Sequence, residues 1–77
     1  MTNMNAEPAT QAIAEALRDS GRTTRWLARK LAIDETILYH AFAGRRRLNV
    51  ARIEAAADLL GIPRSAIARL YEDRKAS

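Results

Sequence analysis

The chain has no cysteine and one histidine. Disulfides and thiolate metal sites are therefore excluded, and a single imidazole cannot build a zinc site without several partners. There are only two prolines and three glycines, against abundant alanine, leucine and arginine. Few breakers and many helix formers indicate an all-helical domain. No apolar run is long enough to span a bilayer, and the first residues lack a secretory apolar stretch. No paired carboxylates, nucleophile–base pair or phosphate-cradling glycine loop is present, so no enzyme chemistry is expected. No cofactor is expected either.

What remains is one small domain of 77 residues with a limited core and a net charge of +4. The charge is unevenly spread. Residues 1–20 carry one basic and three acidic side chains, residues 53–77 four of each, and residues 21–52 eight basic against two acidic. The middle of the chain thus holds +6. A cluster of this kind favours a polyanion as partner, although a solvated surface balanced by counterions has the same composition.

Taken in order, residues 1–7 lack periodicity and read as a loose arm. A first helix is expected over about 10–20, opened by Pro8 as first helical residue or by Thr10 as N-cap, with Ile13 and Leu17 inward and Gly21 ending it. Thr23 caps a second helix, 24–32, whose inner stripe is Leu27, Ala28 and Leu31. Ala32, Ile33 and Asp34 leave a very short break, so the next helix must turn sharply away. That third helix spans 35–43. A loop with Arg45, Arg46 and Arg47 follows, and Asn49 caps a fourth helix, 50–60, with Ile53, Ala56, Ala57 and Leu60 at helical spacing. Gly61 stops it. Pro63 opens a fifth helix, 64–73, carrying Ile67, Leu70 and Tyr71, before a frayed tail, 74–77. The folded domain is expected over 8–73.

The third helix organises the rest. At about 100° per residue, Ile37, Leu38, Ala41 and Phe42 share one side, and Glu35, Thr36, Tyr39, His40 and Ala43 the other. Asp34 is a good N-cap, and Gly44 turns left-handed without a Cβ clash. The polar front has no Lys or Arg. Cations sit outside it, at Arg29 and Lys30 before and Arg45, Arg46 and Arg47 after. Such a helix suits the DNA major groove, with bases in front and phosphates at both flanks.

The run Thr23-Thr24-Arg25-Trp26-Leu27-Ala28-Arg29-Lys30-Leu31-Ala32-Ile33-Asp34, followed by Leu38, Gly44, Asn49 and Leu59-Leu60-Gly61-Ile62-Pro63, resembles the lambda-repressor-like helix-turn-helix family of phage repressors, Cro proteins and related bacterial regulators. The resemblance covers about residues 10–72. It implies a five-helix DNA-binding domain acting as a transcriptional regulator, most simply a small Cro-like or repressor-type protein on a palindromic operator, in the cytoplasm of a bacterium or phage-infected host. By position it assigns base reading to Glu35, Thr36, Tyr39 and His40. It assigns phosphate or backbone contact to Thr24, at the start of the second helix, and places Arg46 and Asn49 where the family touches DNA. Charge and position add Arg25, Arg29, Arg45 and Arg47 to the backbone set.

The chain departs from the family at three places. The turn residue often filled by Gly is Ala32, position 24 has Thr in place of Gln, and Glu35 stands where relatives carry Gln or Arg. Base preference therefore does not transfer. Glu35 also has a purely local account, since a first-turn carboxylate is favoured by the helix dipole, and for Asp34 capping is the better account. Trp26, usually polar in the family, either packs on the first helix or contacts DNA or another subunit. An apolar stripe of Ile67, Leu70 and Tyr71 on a terminal helix would pair with its copy, so a homodimer is expected. The alternative is a protein-interaction module such as an antitoxin. No membrane and no small-molecule ligand is expected.

Overall fold

A computed structural model describes residues 7–76, with side-chain surroundings described through Tyr71. The described residues form five helices and no strand: α1 Pro8–Asp19, α2 Thr24–Leu31, α3 Glu35–Phe42, α4 Val50–Leu60 and α5 Arg64–Ala76. No helix among them is long and apolar enough to cross a membrane.

The helix starts follow local chemistry. Pro8 takes the first position of α1, where a missing N–H costs nothing. Thr23 Oγ1 accepts from the Trp26 N–H at 3.0 Å, Asp34 Oδ1 from Thr36 at 2.9 Å and Asn49 Oδ1 from Arg52 at 2.8 Å. Each side chain satisfies one orphan amide of α2, α3 or α4.

The helix ends share one device. After α2, the Ile33 N–H donates to the Ala28 carbonyl at 3.0 Å and the Ala32 N–H to the Arg29 carbonyl at 3.2 Å. This paired closure needs a left-handed residue. At α3 that residue is Gly44, with φ 81°. At α2 it is Ala32, at φ 57°, the non-glycine residue with positive φ among those described. A left-handed alanine costs about 1 kcal/mol or more, partly offset in a glycine variant by the greater freedom of the unfolded chain. Ala32→Gly is therefore expected to raise stability by about 0.5–1 kcal/mol, a gain of a few degrees in Tm by calorimetry. An unchanged or lower Tm would remove strain from the account of this turn.

The core draws on every helix: Ile13 and Leu17 of α1, Leu27 and Ala28 of α2, Leu38 and Ala41 of α3, Ile53, Ala56 and Ala57 of α4, and Ile67 of α5. α1 packs against α3, α4 and α5, and α4 against α1, α2 and α5, so these two helices form the frame on which the α2–α3 pair is mounted. Leu48, in the loop before α4, is also buried and pins that loop to the core.

Not every expectation is met. Of the two openings expected for α1, Pro8 as first helical residue is the one found, and Thr10 is buried inside the helix rather than capping it. α5 continues through Ala76, three residues past its expected end at 73. The expected arm lies outside the described residues except for Glu7, whose carbonyl accepts from Gln11 and whose side chain pairs with Arg47 at 3.7 Å. Finally, Ile67 is 2% exposed. It fills the core and offers nothing to a second copy. Leu70 and Tyr71 are half-buried against the same core.

Candidate nucleic-acid interface

α3 divides as its periodicity predicts except at Glu35, expected outward and found half-buried. Leu38 and Ala41 are buried and Ile37 and Phe42 half-buried, whereas Thr36, Tyr39, His40 and Ala43 are exposed. Tyr39 is 54% exposed, a large value for an aromatic ring in so small a domain. Its exposure is not left to chance. The phenol donates to Glu35 Oε2 at 2.9 Å, one helical turn back. Arg25, from the first turn of α2, reaches the other oxygen, with Nε 3.5 Å from Glu35 Oε1. Three residues singled out in the sequence are therefore joined, and the starts of α2 and α3 are held side by side. The bond to the carboxylate, and then its negative charge, hold the Tyr39 phenol above its ordinary pKa.

The first turn of α3 is fixed by Asp34. Hydrogen bonding from Thr36 holds the Asp34 carboxyl below the usual carboxylate range. At the far end of α4, the Arg64 guanidinium does the same to Asp58 through a bond of 2.8 Å. A carboxyl whose folded pKa is depressed contributes stability above its unfolded pKa and loses it as pH falls through the folded value. Unfolding midpoints should therefore drop below about pH 4. Asp34→Asn keeps a capping oxygen and should flatten part of that acid limb in thermal melts across the range. A native-like acid limb in that variant would show that Asp34 contributes nothing to it.

The cations differ in how far they are engaged. Arg25 is drawn to Glu35 and Arg47 to Glu7. Arg22 lies over the Trp26 ring, its Cζ 4.3 Å from the centroid, and Trp26 itself packs against the core. Packing is thus where the structure places Trp26. Arg29, Lys30, Arg45 and Arg46 are all exposed, and none of them forms an ion pair among the described residues. Arg29 and Lys30 occupy the last turn of α2, where the helix dipole favours them. Arg45 and Arg46 follow the end of α3. Thr24 is half-buried, and Asn49 is exposed with its oxygen committed to capping α4.

A cavity of about 300 Å³ is lined by Leu17 and Arg18 of α1, Arg22, Thr24 at the start of α2 and Phe42 of α3. Among the described residues, no group of three or more His, Asp or Glu side chains is placed to hold a metal ion. Sequence reasoning named the members of the Arg25–Glu35–Tyr39 cluster but missed their mutual contact. The i, i+4 spacing of Glu35 and Tyr39 was the available signal. Comparison of the chain with protein-family models, with curated proteins and with solved structures found no match.

Proposed function

We propose that the chain is a sequence-specific double-stranded DNA-binding regulator of transcription, with α2, the three-residue turn and α3 acting as a helix-turn-helix of the lambda-repressor type. α3 enters the major groove, Thr36, Tyr39 and His40 face base edges, and cations at both of its ends hold phosphates. The protein acts by occupancy, excluding polymerase or a competitor from the same site. One observation carries the reading: α3's exposed face is free of Lys and Arg, yet flanked by four exposed cations, Arg29, Lys30, Arg45 and Arg46, that have no ion pair among the described residues. A face meant only for solvent has no need to sort its groups in this way.

Pairing of two copies on a two-part site belongs to the same proposal. Its surface cannot include Ile67, which is buried, and would rest on what Leu70 and Tyr71 leave uncovered. Half-sites about one helical turn apart would then be read by the two copies of α3.

Fluorescence anisotropy of the full chain on random duplex DNA over a salt series tests this, followed by selection and sequencing of bound duplexes. Four phosphate contacts give a slope of log K against log salt of about −3.6. Selection should enrich a two-part, roughly palindromic site. A single half-site would overturn pairing alone. No duplex binding at low salt would overturn DNA binding and leave a protein partner as the target of this face.

A further inference from the structure

Both carboxylate oxygens of Glu35 are engaged from within the protein, one by the Tyr39 phenol and one by Arg25. With one site on each oxygen taken and its side chain only 31% exposed, Glu35 has less left to offer a base. A bare carboxylate at the mouth of a phosphate-lined groove would also be repelled, and Arg25 offsets that charge. The phenol has one proton to give, and it is given to Glu35. Its oxygen retains lone pairs on a ring that is 54% exposed. The raised pKa of Tyr39 agrees, since the shared proton is held more tightly than in a free phenol.

The major groove presents a distinct pattern for each base. Adenine N6 and cytosine N4 are amino donors, whereas guanine O6 and N7 and thymine O4 are acceptors. An acceptor brought against guanine or thymine meets another acceptor. Brought against adenine or cytosine, it meets an N–H. We infer that Glu35 is a positioning residue and that, by holding the phenolic proton, it makes Tyr39 a hydrogen-bond acceptor selecting a base with an exocyclic amino group, adenine or cytosine. The inference rests on α3 being the helix that enters the groove. It moves Glu35 from reading bases to setting what its neighbour reads.

The test is base selection on random duplexes with the native chain and the variants Tyr39→Phe, Glu35→Gln and Glu35→Ala, with circular dichroism confirming helix content. The native chain should select adenine or cytosine at one position per half-site. Tyr39→Phe should lose about tenfold in discrimination at that position and little elsewhere. Glu35→Gln keeps an oxygen for the phenolic proton and should keep the native preference. Glu35→Ala frees the proton, so the phenol can donate as well as accept, and should flatten the preference by admitting guanine or thymine. If the native chain selects a site and Tyr39→Phe leaves every position unchanged, or Glu35→Ala keeps the native preference, the inference is overturned while DNA binding stands. If the native chain binds no duplex, both fall together.

Discussion

Leu38→Ala is expected to remove about 3 kcal/mol of stability, within the range of roughly 2–5 kcal/mol for truncating a buried leucine. Leu38 has no exposed surface, and it joins α3 to a core that every other helix shares. A chain of 77 residues has roughly 4–12 kcal/mol in total, so one truncation takes a quarter or more of it. At a slope near 1 kcal/mol per molar urea, the unfolding midpoint should fall by about 3 M. Val50→Ala is the control. Val50 is 52% exposed at the start of α4, and alanine is the better helix former, so its midpoint should change by less than about 0.5 M. A shift below about 1 M for Leu38→Ala would mean that α3 is not anchored through this side chain.

The size of that effect bears on function through geometry. α3 has eight residues, too short to hold its shape alone in water. Its conformation comes from two capped ends and from the burial of Leu38 and Ala41. The groups on its outer face are placed only as well as its inner face is packed.

Much of this was legible in the sequence, for a physical reason. Caps are local, and Thr23, Asp34 and Asn49 each bond within three residues of themselves, so their roles show in short windows. The same holds for the left-handed closure at Gly44, whereas at Ala32 only the family resemblance pointed to the turn. The inward faces of α1, α2, α3 and α4 follow from periodicity alone. What failed was long-range. Leu48 sits between Arg47 and Asn49 in a stretch with no helical period, and its burial depends on helices far away in the chain. Glu7 and Arg47 are forty positions apart, and nothing local announces their pairing. Ile67 shows the opposite limit. Periodicity identified it as apolar and on one face of α5, but could not say whether this chain or a second copy covers it.

The candidate site divides along the same line. Which residues α3 turns outward was readable, because that is a matter of angle along one helix. Which of them are already engaged was not, because Arg25 comes from another helix. The arginine run after α3 is a further instance. Three adjacent side chains cannot all face one way, and the sequence alone does not choose among them. The structure separates Arg47, which turns to Glu7, from Arg45 and Arg46, which form no ion pair among the described residues.

That separation leads to the second large effect. If Arg45 and Arg46 each hold a phosphate, replacing both with alanine removes two released counterions, and the slope of log K against log salt becomes shallower by about 1.8. At about 0.1 M salt, the same relation makes binding roughly sixtyfold weaker, and a single lost contact roughly eightfold weaker. Both residues are exposed, so the fold should be unaffected. Arg47→Ala is the informative comparison. Its guanidinium is paired with Glu7, so its loss should change the slope by less than about half a unit, at a small cost from an exposed ion pair. Anisotropy titrations at four or five salt concentrations separate the cases. Phosphate contacts carry no base information, so the selected sequence should be the same with and without Arg45 and Arg46, even as every affinity falls. A changed preference with an unchanged slope would place these arginines against bases and require a different docking of α3. An unchanged slope with an unchanged preference would leave the basic loop off the DNA altogether, and the phosphates would then have to be held from the α2 side, by Arg29 and Lys30.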